Sequence, residues 1–242
     1  PVLPIFIFDR NILDELEDRA DRRVEFIHLS LVQIQKQLTS LGSTLDVRHG
    51  FPAEVWKQLI KDHSISNVYT NHDYEPYAKK RDAEIAGLLK AKGIGFHSFK
   101  DQVIFEKDEV MKDNGKPYTI FTPYSRKWRC VLNDLYLSTY PVKKYFSNFL
   151  RQPEKNILSL KQMNFNVGGL SFPGKKWKTG ILKHYKEQRD YPAVDGTSRL
   201  SVHLRFGTIS IRELAREAVK LNETFLNELI WREFYQMFLW HF

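Results

Sequence analysis

The run Ile5-Phe6-Ile7-Phe8 is four consecutive apolar residues, and it decides the class of fold. Strands of a parallel sheet are covered on both faces, so they read as continuous apolar runs and not as an alternation of apolar and polar residues. The helix that follows is predicted to begin at Asp21 and to end before Gly42, a residue type common just past helix ends. Its apolar positions recur at helical spacing, at Val24, Ile27, Leu31, Ile34, Leu38 and Leu41.

The same alternation continues outward from this strand and helix. Further strands are predicted over residues 45–49, 67–71 and 95–99, and further helices over residues 52–60 and 77–92. Strict alternation predicts an α/β domain with a parallel, doubly wound (Rossmann-like) sheet and right-handed crossovers. Residues 103–105 would extend or follow the fourth strand. Ligands of such sheets bind beyond the carboxyl ends of the strands, where residues 71–76 lie, although turn chemistry explains that loop equally well.

The composition narrows the class of function. The chain has 242 residues, a net charge of +8 and a pI near 9.4, which suits a polyanionic partner. Cys130 is the single cysteine, so an internal disulfide is impossible, a reducing compartment such as the cytoplasm is expected, and we interpret this residue as a small core side chain. No apolar run reaches the roughly 20 residues of a membrane span, so no membrane attachment is expected.

The usual ligand-binding motifs are missing from the sequence. The histidines lack metal-ligand spacing and no paired cysteines accompany them, so a zinc site is excluded. Neither G-x-G-x-x-G nor a P-loop is present, so a phosphate would have to be bound in another way.

The alternation of strands and helices stops in the second half of the chain. Residues 1–107 form the predicted α/β domain. Residues 108–174 contain one helix, opened by Phe121-Thr-Pro-Tyr124 with Thr122 as its N-cap, and then a long connection with several Pro, Gly and Asn residues. From residue 175 to residue 242 only helical patterns remain. The chain opens on a strand and closes within a helix, so both ends are expected to be truncated.

Residues 197–201, Thr-Ser-Arg-Leu-Ser, provide good N-cap residues at a predicted helix start. A helix start presents backbone N–H groups and hydroxyls, which together can bind an anion such as a phosphate. An ordinary capped helix without a ligand is the alternative. Gly207 is predicted to end this helix and Ser210 to cap the next one.

The stretch Glu228-Leu-Ile-Trp-Arg-Glu-Phe-Tyr235, read as part of a longer helix, lies beside a wide apolar stripe and has a distinctive neighbouring face. The stripe contains Phe225, Leu226, Leu229, Ile230, Phe234, Met237 and Phe238. The neighbouring face contains Glu228, Trp231, Arg232 and Tyr235, which are three or four positions apart. A carboxylate, an indole, a guanidinium and a phenol can stack on, hydrogen-bond and neutralise a flat anionic ligand such as a nucleotide. A core helix with snorkelling charges is the alternative.

Several of these motifs occur together in one known family. Thr197-Ser-Arg-Leu-Ser201, Leu204-Arg-Phe-Gly207 and Glu228 to Tyr235, with Tyr69-Thr-Asn71 and Phe121-Thr-Pro-Tyr124 upstream, resemble the DNA photolyase/cryptochrome family. The resemblance covers essentially all 242 residues and is closest to class I cyclobutane pyrimidine dimer photolyases. It implies an α/β photolyase domain, a long interdomain connector and the first part of a helical FAD-binding domain.

The resemblance implies a light-driven carbon–carbon lyase. In this family a reduced FAD absorbs light and passes an electron to a pyrimidine dimer flipped out of the DNA, and the cyclobutane ring then splits. Glu228 and Trp231 would be the catalytic residues, which hydrogen-bond to the dimer and stack on it. The resemblance assigns FAD binding to Tyr185, Thr197, Ser198, Arg199, Leu200, Ser201, Phe225 and Arg232. It assigns DNA binding to Arg189, Glu228, Trp231, Arg232 and Tyr235.

The resemblance also implies a monomeric protein with damaged DNA as its partner. A second chromophore, an antenna of the folate or deazaflavin type, would bind in the α/β domain. Members of the family normally begin one strand earlier and have a second half of the helical domain, with further flavin contacts and a tryptophan chain. The chain is therefore predicted to be a fragment that does not repair DNA alone.

Other functions fit parts of the sequence. A cryptochrome would have the same fold and FAD but would signal in blue light without repairing DNA. A generic α/β nucleotide-binding domain with an unrelated helical extension would bind no flavin. Composition alone also allows a plain nucleic-acid-binding module.

Overall fold

The computed structural model describes residues 1–169 and 171–242, which divide into two compact units. The first unit contains Pro1–Val68, Arg81–Phe96 and Pro141–Phe172, and the second contains Tyr69–Lys80, His97–Tyr140 and Pro173–Phe242. Each unit is assembled from separate segments of the chain. The predicted domains, with boundaries after residues 107 and 174, are instead consecutive stretches of the chain. These boundaries stay a prediction.

The first unit is built around a parallel pair of strands, β1 (Ile5–Asp9) and β2 (Asp46–Gly50). Two helices lie between them in the chain: α1 (Arg10–Leu13), which the sequence did not predict, and α2 (Arg22–Ser40), which it did. The continuous apolar run at the start of the chain therefore does form a strand of a parallel sheet. The core beside it contains Phe8, Leu13, Val24, Leu31, Leu38, Leu45, Val47, Leu160, Met163 and Phe165.

The buried face of α2 differs in part from the predicted stripe. Ile34 is 42% exposed and Leu41 37% exposed, whereas Gln35 is buried. The Gln35 amide donates to the Thr44 hydroxyl at 2.7 Å, and its carbonyl accepts from the Leu45 N–H at 2.7 Å. A polar side chain can be buried when its hydrogen bonds are made inside the protein, and apolar spacing gives no sign of such bonds.

The second pair of strands, β3 (Asn67–Asn71) and β4 (Gly95–Phe99), begins and ends at the predicted residues. Helix α3 (Pro52–Asp62) precedes β3, and α4 (Pro76–Lys90) connects β3 to β4. In the part of the chain that the structure describes, the strands form two separate pairs and not one continuous sheet. Residues 103–105, which could have extended or followed the fourth strand, are irregular but buried.

The second unit has a helical core. Its helices are α5 (Phe121–Val131), α6 (Thr179–Lys183), α7 (Tyr185–Gln188), α8 (Ser201–Arg205), α9 (Ile211–Leu221) and α10 (Glu223–His241). Its core contains Tyr124, Trp128, Leu182, Leu200, Leu214, Ala218, Phe225, Leu229, Ile230, Phe234 and Met237. The predicted change from alternating strands and helices to helices alone is confirmed.

Two local predictions about α5 are wrong. The helix begins at Phe121 with no side-chain cap, so Thr122 is not its N-cap. Tyr124 and Trp128 are one turn apart, so they share a face of the helix, and this face is buried in the core. Cys130 lies off that face and is exposed. The cysteine is therefore not a core residue.

The start of α8 also differs from its prediction. Arg199 has a φ of +53°, in the left-handed region, so a right-handed helix cannot run through it. Helix α8 begins only at Ser201, after Leu200, which makes no side-chain cap hydrogen bond. Thr197 and Ser198 are therefore not N-caps. Ser210 does cap α9 as predicted, since its hydroxyl accepts the N–H three residues on at 3.3 Å.

The long connection predicted after α5 is largely irregular. Among its described residues it contains two short 3-10 helices, Val142–Asn148 and Lys161–Met163, and no α-helix. Leu160, Met163 and Phe165 from this stretch pack into the core of the first unit.

Candidate functional site

Helix α10 has one fully buried face and one accessible face. The predicted apolar stripe is buried at Phe225, Leu226, Leu229, Ile230, Phe234 and Met237, with Phe238 partly buried. On the neighbouring face Glu228, Trp231 and Arg232 are half-buried, and Tyr235 is 60% exposed. The four residues predicted from three- and four-residue spacing to share one face of the helix therefore do so, and their functional roles stay predictions.

Glu233 anchors this helix inside the second unit. Its buried carboxylate accepts hydrogen bonds from the backbone N–H of Ile104 at 2.7 Å and of Phe105 at 2.8 Å. It also accepts one from the indole N–H of Trp128 at 2.5 Å. Burial raises the pKa of Glu233 to about 7, and these three hydrogen bonds act against the rise. The bonds to residues 104 and 105 satisfy N–H groups that no strand ladder takes up.

Trp231 lies in an aromatic stack. The ring of Phe121 is parallel to the indole, with centroids 3.6 Å apart and planes 7° apart. Tyr235, one turn along α10, has its ring 5.7 Å from the indole with 25° between the planes. Both Phe121 and Trp231 also meet the buried ring of Phe234 edge-on.

Helix α7 contacts the same part of α10. The Arg189 guanidinium pairs with the Glu228 carboxylate, and both side chains are about one-third exposed, at 32% and 37%. Tyr185 packs edge-on against Phe225 with ring centroids 5.1 Å apart, and Arg189 lies 5.5 Å from the centre of the Tyr185 ring. Burial, followed by the charge of Glu228, raises the pKa of Tyr185.

The segment before α8 is held close to α7. Gly196 is buried, and a side chain there would place its Cβ 2.6 Å from the Cβ of Gln188. Beyond this contact, Leu200 is buried in the core, whereas Thr197 and Ser201 are exposed and Ser198 is half-buried. Arg199 is exposed and pairs with Asp195 at 2.9 Å. This segment therefore presents hydroxyls and a guanidinium to solvent.

Arg232 connects α10 to α8, the short helix that follows the segment 197–201. Its guanidinium donates to the carbonyl of Leu204, in α8, at 3.2 Å and to the carbonyl of Gln102 at 2.7 Å. Burial lowers the pKa of Arg232, although an arginine remains charged. The side chain is thus committed to backbone carbonyls in this structure.

The loop after β3 forms a polar cluster of its own. His72 Nδ1 lies 2.7 Å from a carboxylate oxygen of Glu106, and the hydroxyl of Tyr74 donates to the same oxygen at 2.8 Å. Burial, with the hydrogen bond to Glu106, raises the pKa of Tyr74. These contacts favour the interpretation of the loop as turn and packing chemistry. Within residues 1–169 and 171–242 no group of His, Cys, Asp and Glu could hold a metal ion.

The length and apolarity of the helices also bear on membranes. Of the helices in the described residues, none is both long enough and apolar enough to span a bilayer.

Comparison with known proteins gives the family. The family model for DNA photolyase matches residues 1–142, more than half of the chain. The chain belongs to the DNA photolyase family. The membership predicted from the motifs of residues 197–207 and 228–235 is therefore confirmed, and so is the fold class.

Other members of the DNA photolyase family resemble the whole chain. The deoxyribodipyrimidine photo-lyase of Halobacterium salinarum is 31% identical over 99% of this chain and 54% of its own length. A bacterial class III photolyase from Agrobacterium tumefaciens has the same fold, with a TM-score of 0.76 and 23% identity over 100% of this chain and 54% of its own. The archaeal photolyase from Sulfolobus tokodaii, solved with two FAD molecules, has a TM-score of 0.74 and 25% identity over 99% of this chain and 53% of its own. The chain spans about half the length of these photolyases.

In this photolyase-family chain, contacts connect the elements that carry the predicted site residues. Helix α7 touches α10 through the Arg189–Glu228 pair and the Tyr185–Phe225 rings, and α8 touches α10 through Arg232. The segment of residues 197–201 follows Gly196, which packs on α7. The roles of these residues toward FAD and DNA stay predictions.

Two residues important for this geometry had no predicted role in the site. Glu233 lies within the quoted C-terminal stretch, but the three N–H groups it binds are more than 100 residues away in the chain. Phe121 was noted as part of a helix start, and its stack on Trp231 also joins distant residues. A buried acid inside an apolar stripe was the single available signal for Glu233, because such a group has to be hydrogen-bonded.

Proposed function

We propose that the protein, in its full length, is a deoxyribodipyrimidine photo-lyase that uses FAD and light to split cyclobutane pyrimidine dimers in DNA. The observation that carries the proposal is the accessible face of α10, where Glu228, Trp231 and Tyr235 lie beside a fully buried apolar face. Membership in the DNA photolyase family supports it, as does the likeness to proteins of this name. Because the chain spans about half the length of those proteins, the activity is proposed for the full-length protein.

Residues of α7, of α10 and of the segment 197–201, which leads into α8, fit the flavin cofactor FAD. Thr197, Arg199 and Ser201 are exposed and offer hydroxyls and a positive charge to phosphates, and half-buried Ser198 adds a further hydroxyl. Tyr185 and Phe225 offer an aromatic pair, while buried Leu200 can contribute backbone groups. When bound, FAD would supply a light-activated one-electron donor. The residues of this chain would bind and orient it, with Arg232 holding α8 against α10.

The accessible face of α10 fits a flipped-out pyrimidine dimer. Trp231 and Tyr235 provide flat rings on which bases stack, and the Glu228 carboxylate can accept hydrogen bonds from base N–H groups. The net charge of +8 favours contacts with phosphates that carry no sequence information.

Arg189 and Glu228 would change partners when DNA binds. They form a pair that is about one-third exposed, at 32% and 37% of the two side chains. A phosphate can compete with the carboxylate for the arginine, because guanidinium groups form bidentate hydrogen bonds with phosphates. Arg189 would then hold the DNA backbone and Glu228 would be released to accept from the lesion.

The Sulfolobus tokodaii photolyase holds two FAD molecules, and we propose a second, antenna chromophore here as well, of the folate, deazaflavin or flavin type. We also propose that the protein acts as a monomer in a reducing compartment such as the cytoplasm. Its single cysteine supports the reducing compartment.

Replacing Trp231 by alanine tests the lesion-binding role. Stacking contributes about 1–3 kcal/mol per base, so Trp231→Ala should weaken binding of dimer-containing DNA by about 5- to 150-fold. Binding of undamaged DNA should change little. Dissociation constants for two oligonucleotides that differ by a single thymine dimer, measured in the dark, give both values.

Trp240 offers a matched control on the same helix. It lies nine residues further along α10, on the opposite side, where Lys79 and Lys107 flank its ring at 5.1 and 5.0 Å. Trp240→Ala should leave the preference for dimer DNA unchanged. Equal weakening of both oligonucleotides by Trp231→Ala would contradict the lesion-binding role.

A further inference from the structure

The close parallel stack of Phe121 on Trp231 leaves no room between the two rings. Their centroids are 3.6 Å apart and their planes differ by 7°, which is van der Waals contact across a whole ring face. A base therefore cannot stack on the indole face that Phe121 covers. A base would have to use the opposite face, together with the ring of Tyr235, whose centroid is 5.7 Å from that of the indole.

Phe121 is itself fixed on the core of the second unit. It is the first residue of α5, and two buried residues of the same helix, Tyr124 and Trp128, are each 1% exposed. Its ring meets Phe234 edge-on, with centroids 5.8 Å apart and planes at 75°, and Phe234 is 4% exposed.

Helices α5 and α10 are joined at two separate points, of which this stack is one. The stack itself joins Phe121 to Trp231, and the hydrogen bond from the Trp128 indole to Glu233 joins the same helices two turns further along α5, about 10 Å away. Two separate points of contact prevent α5 from pivoting, so the ring of Phe121 has a fixed place and orientation.

We propose that Phe121 is a positioning residue for Trp231, and that it sets which face of the indole receives a base of the lesion. This inference rests on the proposed function, in which Trp231 stacks on a flipped-out base. The ring of Phe121 holds the indole in one orientation before DNA arrives, so that binding does not have to pay for ordering it. Trp231 touches the base, and Phe121 acts through Trp231.

Three substitutions of Phe121 in the full-length protein separate positioning from simple packing. Phe121→Ala removes the ring, Phe121→Leu keeps much of the apolar volume but not the flat face, and Phe121→Tyr keeps the flat face. The preference for dimer-containing over undamaged oligonucleotide, measured in the dark, should fall about 2- to 10-fold with alanine and with leucine, as expected from the loss of one pre-ordered side chain. Tyrosine should restore it.

Ile120→Ala changes the neighbouring residue, which is 65% exposed, and should leave the preference unchanged. Thermal unfolding of each variant identifies any general loss of fold, and the leucine variant keeps the test valid if alanine unfolds the protein. A leucine variant with the full wild-type preference, or a tyrosine variant without it, would overturn the proposal for Phe121. If Trp231→Ala kept the full preference, the proposed function itself would fail.

Discussion

At the scale of single residues, Glu233 is the side chain on which the placement of α10 depends most. A carboxylate without hydrogen bonds would be very costly at 2% exposure, and this one accepts three. Two oxygens serve three donors, since Oε2 takes the N–H of Ile104 and Oε1 takes the other two. The neighbours Trp231 and Arg232 are thereby held in a fixed rotation about the helix axis.

Glu233→Gln is predicted to change how stability depends on pH. The folded pKa is raised from 4.5 to about 7, so between these values the folded state binds more protons than the unfolded state. Stability from this group is present below pH 4.5 and is lost as pH rises to about 7, at about 1.4 kcal/mol per unit and about 3 kcal/mol in total. Free energies of unfolding from urea titrations between pH 4.5 and 8 should show this decline in wild type and not in Glu233→Gln.

Comparing wild type with Glu233→Gln cancels what the other titratable groups contribute to the pH dependence of stability. His49, for example, has a pKa lowered first by burial, and its effect on stability has the opposite sign in an overlapping pH range. Glu187→Gln, at an exposed carboxylate of α7, is the control and should keep the wild-type decline. Parallel curves for wild type and Glu233→Gln would contradict the role given to Glu233. The amide should also be less stable near pH 5, because its NH2 group would face the N–H of Ile104 and leave that donor unsatisfied.

The sequence predicted some residues of the candidate site and not others, for a physical reason. Spacing along a helix predicts which residues share a face, and it placed Glu228, Trp231 and Tyr235 together correctly. Spacing cannot show what the residues meet. Arg232 shares that face but donates to two distant carbonyls, and the partner of Trp231 is Phe121, 110 positions earlier in the chain.

At the scale of elements, the turn that ends at Gly196 sets the position of residues 197–201. A Cβ at this residue would lie 2.6 Å from the Gln188 Cβ and 2.8 Å from its carbonyl oxygen, closer than side chains pack. The backbone of the turn therefore depends on glycine for close approach to α7 and not for an unusual φ.

Gly196→Ala is predicted to push this turn away from α7. Overpacking of this kind typically costs about 1–3 kcal/mol, so the melting temperature should fall by several degrees. The flavin content of the purified full-length protein should fall with it, because residues 197–201 are proposed to bind FAD. Gly174→Ala, where a Cβ would meet nothing within 4 Å, is the matched control. A Gly196→Ala variant with wild-type stability and flavin content would show that the turn tolerates a side chain.

The start of a helix could be predicted where a single capping side chain determines it. It could not be predicted where an unusual backbone conformation determines it. Ser210 was recognisable as the cap of α9 because its side chain alone provides the acceptor. The start of α8 depends on Arg199, a non-glycine residue in the left-handed region, and residue type gave no warning of it. The motif was correctly recognised, whereas the local geometry assigned to it was wrong.

At the scale of the molecule, the order of elements fixed the class of fold but not the pairing of strands. Local patterns of apolar residues along the chain predicted the ends of β1 to β4 with errors of about a residue. Which strands hydrogen-bond to one another depends on distant residues. Within the described residues the strands accordingly form two pairs, β1 with β2 and β3 with β4, where the alternation suggested one sheet.

The face of α10 with Glu228, Trp231 and Tyr235 is proposed to receive a DNA lesion for repair by light. The most direct test of this proposal is to incubate the full-length, flavin-containing protein with an oligonucleotide that holds one thymine dimer, in the dark and under near-ultraviolet or blue light. Chromatography of the DNA then measures how much dimer has returned to two thymines. We expect repair in the light only, and much slower repair by Trp231→Ala at the same DNA concentration. An illuminated, flavin-containing protein that binds the oligonucleotide but leaves the dimer intact would contradict the proposal.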